Sequence, residues 1–351
     1  MAITQKYPII RWAVPAAAVA AIAVAAVIPR ADADPALPPK DAEQLLIDVQ
    51  NTEVDEFFGT IETSTDLGLP ALPGDAEFTA LLTGTHTVRV WHDGDDKSRA
   101  SLIDEGAETT VVRNGEDVWQ WSSESKTAKH HTVPEHEGDH PASDTPRTPQ
   151  EAAEELLNSI EPSTEVSVTD NERVAGRPAY VLVLDPKSDE TLVDLATIAI
   201  DGETSAPLRV QVWAADAERP AISVGYTQVS FTAPDASVFD FTPPADATVE
   251  EVTPGEHPEK GAEQPHADEP TVVGEGWDRV MVATMPPLPP PSEPGAEPTE
   301  LEELLSQLPE VSGDWGTGKV LTSTLATVVL TDDGRVAFGL VPTDTVVAAI
   351  P

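Results

Sequence analysis

The sequence predicts an α+β fold: an antiparallel meander of strands with amphipathic helices on one of its faces, and a small C-terminal module. Three observations carry this. Apolar residues recur with period two over most of the middle of the chain, and the runs are joined by short turns rich in Gly, Asn and Asp. Helical periodicity is confined to a few short segments with strong start signals. A segment of Pro, Glu, His and Gly with almost no apolar residues, Pro254 to Pro270, sets the tail apart from the rest.

The first helix starts at Asp41, an N-cap residue with Gln44 three positions on. Ala42, Leu45, Leu46 and Val49 then fall on one stripe, and Pro38 and Pro39 keep the preceding chain out of a helix. The second begins at Thr148, with Pro149 in the first turn and Glu151 completing a capping box. Its stripe is Ala152, Ala153, Leu156, Leu157 and Ile160, ended by Pro162. Both stripes require a hydrophobic partner surface, which only a sheet elsewhere in the chain can supply.

The strands follow from the alternating runs. Thr85 to Trp91 leads into His92-Asp93-Gly94-Asp95, and Thr109 to Arg113 and Glu116 to Trp121 flank Asn114-Gly115, a strong short hairpin signal. Arg173-Val174 and Ala179 to Val183 flank Ala175-Gly176-Arg177-Pro178. Ala196 to Ile200 passes through Asp201-Gly202-Glu203-Thr204 to Leu208, Val210 and Val212, and Ile222, Val224 and Tyr226 form a further strand. Too few helices are available as crossovers for a parallel sheet, which excludes doubly wound enzyme folds. In the tail, Trp277 to Met285 is an expected strand, followed by the proline run Pro286 to Pro291. Thr299 and Glu302 form a third capping box ahead of Leu301, Leu304, Leu305 and Leu308. Leu321 to Leu330 and Arg335 to Val341 flank the turn Thr331-Asp332-Asp333-Gly334. The tail is short for a core of its own, so it is expected to pack as a small module or to dock on the main domain.

Compartment and partners are constrained by composition. Lys6 and Arg11 precede an apolar run from Trp12 to Ile28, and Ala31-Asp32-Ala33 offers small residues where a signal peptidase reads, so cleavage is expected after Ala33. The competing reading is an uncleaved anchor, for which the run is barely long enough and is interrupted by Pro15. The chain of 351 residues carries 62 Asp and Glu against 20 Lys and Arg, a formal net charge of -42. Such a polyanion repels phosphate backbones, which excludes nucleic acid as a partner. The absence of cysteine removes disulfides, thiolate catalysis and Cys-ligated zinc. The expected division is a signal peptide over 1–33, a main domain over 34–252, a linker over 253–272 and the C-terminal module over 273–351.

The order of motifs resembles a known superfamily. An exported chain opens with an amphipathic helix and a long meander that includes Asn114-Gly115-Glu116-Asp117-Val118-Trp119-Gln120-Trp121. The Thr148 helix follows, then Val174-Ala175-Gly176-Arg177-Pro178-Ala179-Tyr180, Ile200-Asp201-Gly202-Glu203-Thr204, Pro207-Leu208-Arg209-Val210 and Phe239-Asp240-Phe241-Thr242-Pro243-Pro244. Over about Ala42 to Val252 this is similar to the LolA-type outer-membrane lipoprotein carriers and the related sensor domain of RseB-type sigma-factor regulators. Asp66-Leu67-Gly68-Leu69-Pro70-Ala71-Leu72-Pro73 resembles the versions found in bacteria without a typical outer membrane. The resemblance implies a curved antiparallel half-barrel with amphipathic helices on its concave face and an apolar cavity between. In the carriers that cavity holds acyl chains.

The candidate ligand-lining residues are Leu45, Leu46 and Val49 of the first helix and Leu156 and Leu157 of the second. Three strand rows join them: Trp119 and Trp121; Tyr180, Leu182 and Leu184; and Leu208, Val210 and Val212. Packed core and acyl-chain lining are both consistent with such rows. Leu67, Leu69 and Leu72, spaced by Gly and Pro, are gate-loop candidates that either meet a partner or fold onto the rim. His130, His131, His136 and His140 lie among Glu135, Glu137 and Asp139, but at spacings that match no common metal site, so a polar loop is expected there and no metal or other cofactor. No nucleophile elbow, phosphate loop or paired-histidine motif is present, which points away from an enzyme. The expected function is an extracytoplasmic carrier for a lipid or lipoprotein acyl chain. The alternative is an envelope-stress sensor or a regulatory partner of a membrane-anchored protein.

Overall fold

The computed structural model describes residues 37–69, 84–104, 106–133, 148–158, 163–215, 217–252, 270–284 and 305–351. The leader, Leu72, His136, His140, Ile160, Pro162, nearly all of the linker, the Pro286 to Pro291 run and the third capping box with Leu301 and Leu304 fall outside them. Of that last stripe, Leu305 lies in a helical turn and Leu308 just after it.

Local signals set the elements. Helix α1 (Ala42–Gln50) is capped by Asp41, whose carboxylate accepts the Gln44 backbone N–H at 2.9 Å. Helix α2 (Pro149–Asn158) carries the full capping box: the Thr148 N–H donates to Glu151 Oε2 at 2.7 Å, and the Glu151 N–H donates to Thr148 Oγ1 at 3.2 Å. Eleven strands pair antiparallel with their neighbours: β1 (Glu56–Thr65), β2 (Gly84–Asp93), β3 (Lys97–Asp104), β4 (Ala107–Asn114), β5 (Asp117–Ser122), β6 (Thr127–Thr132), β7 (Thr164–Val174), β8 (Arg177–Pro186), β9 (Val193–Asp201), β10 (Pro207–Ala214) and β11 (Ile222–Ser230). Strand β12 (Thr248–Glu251) joins the edge in parallel to β6. The order is β12-β6-β5-β4-β3-β2-β1-β11-β10-β9-β8-β7. Strands β7 and β12 do not pair with each other, so the curved sheet stays open and forms the expected half-barrel.

Two features give this sheet its shape. The β7–β8 turn is Ala175-Gly176, both at positive φ (52° and 78°), which matches the twist of a two-residue hairpin. Register shifts opposite Thr60 and Ile61, where β11 carries the extra residue Thr227, and between Thr169 and Glu172 on β7, insert bulges that bend β11 and β7. The inner face, the one that meets the helices, follows from alternation: Leu208, Val210 and Val212 are buried on it, and Arg209 and Gln211 point the other way.

The tail forms a second antiparallel sheet of β13 (Thr271–Val273), β14 (Val280–Thr284), β15 (Glu310–Gly313), β16 (Gly316–Thr322), β17 (Thr327–Thr331) and β18 (Arg335–Gly339), in the order β13-β14-β18-β17-β16-β15. It has its own core of Val280, Val282, Val320, Val329, Ala337 and Val341, closed by Val346 and Ile350 at helix α3 (Thr343–Ala349). The continuous strand expected over Leu321 to Leu330 is in fact two strands. Ser323 breaks it: its Oγ accepts the N–H groups of Leu325 and Ala326 at 3.3 and 2.9 Å, and its own N–H donates to the Ala326 carbonyl at 2.8 Å. Likewise Trp277 lies in a short 3-10 turn (Gly276–Asp278) ahead of β14 and not in the strand.

Candidate functional site on the inner face of the large sheet

Helices α1 and α2 have 9 and 10 residues, below the roughly 12–15 at which a helix holds its own in water. They are helical here because their stripes are buried. Leu45 and Val49 of α1, and Ala152, Ala153 and Leu157 of α2, join one apolar cluster with the inner rows of β1, β2 and β8 to β11. That cluster gathers nearly all the expected lining: Tyr180, Leu182, Leu184, Leu208, Val210 and Val212 are buried in it, and Leu46 and Leu156 pack against it partly exposed. Polar groups enter the same inner face at the β1–β2 pair, where Thr63, Thr65 and His86 are buried. Tyr180 anchors the approach to α1 by donating its hydroxyl to the Pro38 carbonyl at 2.7 Å, with the Lys40 ammonium 5.3 Å from its ring centre.

Trp119 and Trp121 do not belong with this set. The register Val90 to Ala100 to Val111 continues the inner face across β2, β3 and β4, and Trp119 pairs with Val112, one residue out of that phase. Both tryptophans therefore point to the outer face. There Trp121 is buried, and Trp119 stacks on His130 (centroids 4.3 Å apart) and tilts against Phe241 at 5.5 Å. The chain after β11 crosses this outer face and covers it, with Phe239 buried and the Val238 carbonyl accepting Arg99 Nη1 at 3.0 Å. Period two within one strand establishes that the tryptophans share a face, but choosing between faces needs the pairing of four strands.

The interior is filled. Leu45, Leu182, Leu184, Leu208 and Val210 have 0% exposure, so no water-sized void borders them. Around these five side chains the cavity expected between sheet and helices is occupied, and Leu46, Leu102 and Leu156 beside them stay partly exposed. Two grooves lie on the outer face: one of about 250 Å³ with Phe58, Arg89 and Trp91, and one of about 420 Å³ with Val183, Leu195, Arg209 and Trp213.

At one end of the half-barrel the small sheet closes the interior. Leu67 is buried there and Leu69 packs partly exposed; neither projects as a free gate loop. The Thr324 N–H donates to the Leu67 carbonyl at 2.8 Å, and Thr324 Oγ1 donates to the Asp66 carbonyl at 3.2 Å. Beside them Leu325, 3% exposed, sits in the large sheet's cluster although its strands belong to the small one. Trp277 enters the same cluster, its indole N–H donating to Thr164 Oγ1 at 2.8 Å, and Leu340 packs on it while its carbonyl accepts the Leu192 N–H at 2.7 Å. None of these three residues stands out in the sequence as a site. The clue lay in Ser323, a strand breaker inside an apolar run.

The histidine region also departs from the expected loop. His130 and His131 lie within β6, on opposite faces. His130 Nδ1 meets Glu251 of β12 and Nε2 meets Asp117 of β5, each at 2.9 Å. Burial opposes charge on this ring, but the hydrogen bonds to Glu251 and Asp117 outweigh it and raise the histidine above its ordinary value. Among the described residues, no three His, Asp or Glu side chains are placed to hold a metal ion. No described helix is long and apolar enough to cross a membrane.

No family model and no curated protein matches this sequence. Several solved structures are similar in outline. MucB in complex with MucA(peri) is 19% identical, with 87% of this chain and 96% of that chain covered and a TM-score of 0.44. LprF from Mycobacterium bovis is 12% identical over 59% of this chain and 97% of its own, at a TM-score of 0.31. The LolA superfamily protein NE2245 from Nitrosomonas europaea is 13% identical over 58% and 99%, at 0.24.

Proposed function

We propose that this chain is an exported binding protein that takes the acyl chain of a lipid or lipoprotein between the large sheet and helices α1 and α2, and that the packed interior is its closed state. The observation that carries this reading is a large apolar cluster on the inner face of β8 to β11, roofed by two helices too short to persist alone. Magnitudes favour displacement. Helix α1 contributes two deeply buried side chains, Leu45 and Val49, at roughly 1.5–3 kcal/mol each. An acyl chain of about a dozen methylenes brings roughly 10 kcal/mol on burial. A guest of that size can therefore replace a lid's contacts with the sheet. Native mass spectrometry of the protein purified from its own envelope tests the reading. A co-purified lipid mass supports it, and a ligand-free chain that also rejects added fatty acid contradicts it.

A second reading is favoured by the same filled interior together with the net charge of -42. In it the chain is a regulatory partner of a membrane-anchored protein, and its surface does the work. Cross-linking in the native envelope separates the two, since a stable protein partner with no bound lipid supports this one.

A further inference from the structure

Resting on the acyl-binding reading, we propose that the guest chain enters at the end of the half-barrel now stopped by Leu325, and that the C-terminal sheet is the removable stopper of that entrance. The end in question is built from the close of β1, β8 and β10 and the start of β7, β9 and β11, which antiparallel pairing brings to one rim. Three elements of the small sheet reach this rim at three places. Thr324 and Leu325 meet Asp66 and Leu67 after β1; Leu340 meets Thr191 and Leu192 before β9; Trp277 meets Thr164 at the start of β7. Each place pairs hydrogen bonding with an apolar side chain that joins or packs on the inner cluster.

The small sheet does not need these contacts for its own core. Leu325 and Trp277 are missing from its apolar cluster and present in the other. A sheet that keeps its core intact while lending two large side chains to a neighbour can leave as a unit. What it vacates is an apolar opening, rimmed by the Thr164 and Thr191 hydroxyls and the Asp66 and Leu67 carbonyls, that leads to the interior of Tyr180, Leu182, Leu208 and Val210. That order of surfaces, polar at the mouth and aliphatic within, fits an acyl tail entering with its polar end outward. Apparent affinity then scales with the fraction of molecules in which the stopper is out.

The absence of cysteine makes a clean test available. A Cβ at Gly68 would lie 3.1 Å from Thr324 Cγ2, close enough to try a disulfide between Gly68→Cys and Thr324→Cys; Gly68 sits at φ 59°, so its cysteine carries about 1–2 kcal/mol of backbone strain, present in the oxidised and reduced forms alike and cancelled by comparing them. The full-length double variant is titrated with cis-parinaric acid, a fluorescent fatty acid, oxidised and then reduced, beside wild type and Leu325→Ala. The expected result is at least tenfold weaker binding when oxidised, recovery on reduction, and severalfold tighter binding by Leu325→Ala. Equal binding by the oxidised and reduced forms, with wild type also binding, overturns the entrance and leaves the acyl reading standing. No binding by wild type or any variant overturns both. Because the disulfide removes no core side chain, its result stands even if Leu325→Ala fails to fold.

Discussion

Arg177 and Asp201 face each other across adjacent strands through two parallel hydrogen bonds, Nε to Oδ1 at 2.6 Å and Nη2 to Oδ2 at 2.9 Å. Asp201 is 1% exposed, and its Oδ2 also accepts the Glu203 and Thr204 N–H groups and the Thr204 hydroxyl. One carboxylate thus closes the β9–β10 turn and ties it to the start of β8. Burial alone would raise its carboxyl, but Arg177 and Thr204 together hold it below the usual range. Asp201→Ala leaves these donors without an acceptor and is expected to cost about 3 kcal/mol in urea unfolding. A loss below about 1 kcal/mol would contradict the role given to this pair. Since its folded value is depressed, the Asp201 contribution is present above about pH 3.8, its unfolded value, and disappears as pH falls through the lower folded one.

His130 gives the opposite sign. Its folded value is raised, so the stability it adds is complete below its ordinary 6.5 and is lost as pH rises through the raised value. Deprotonation removes a proton from one of its two carboxylate contacts and weakens the clamp that ties β12 to β5 and β6. Hydrogen exchange of Val249 to Glu251 is expected to speed up across that window beyond its normal base-catalysed rise. In His130→Gln the extra step is expected to vanish, and an unchanged step in the variant would show that another group is responsible.

The two caps of α2 act together, so Thr148→Ala and Glu151→Ala are each expected to cost about 1 kcal/mol. For a chain of this size that lowers Tm by about 2–4 °C. A double variant that loses no more than either single change would show the reciprocal pair acting as one unit.

Two glycines separate steric from conformational constraint. A Cβ on Gly59 would sit 2.4 Å from the Gln228 carbonyl oxygen beside the β11 bulge, so Gly59→Ala is expected to destabilise by about 1–3 kcal/mol or more through overpacking. Gly115 has open space around it but a φ of 65°, and Gly115→Ala is expected to cost only about 1–2 kcal/mol. Gly115→Asn, which tolerates that region, should recover most of it. Denaturant midpoints measure both, and equal losses at the two positions would defeat the distinction.

What could be read in the sequence was whatever local chemistry decides. Asp41 and Thr148 announce their helices because a cap needs a particular side chain at a particular offset, and both caps form as expected. Leu208, Val210 and Val212 announce an inner row because one strand face is apolar and the other polar. Strand β1 escaped this reading: on its inner row Phe57 and Ile61 are interleaved with Gly59 and followed by Thr63 and Thr65, which break the apolar alternation. Strand β3 escaped for a similar reason, as Ser98, Ala100 and Leu102 are too small or mixed to stand out. The face occupied by Trp119 and the insertion of Leu325 depend on long-range pairing, which no local signal encodes. The filled interior is a matter of side-chain volume, to which periodicity is blind.

Where an acyl chain touches the protein separates an interior guest from one held on the outer face. Photo-crosslinking the full-length chain with a diazirine-bearing palmitic acid, followed by mapping of the modified peptides, measures that. The expected adducts fall on Leu45 to Val49, Leu156 and Leu157, and the inner rows of Tyr180 to Leu184 and Leu208 to Val212. Adducts confined to the outer face around Trp91 or Trp213, or none above a non-binding control protein, would contradict it.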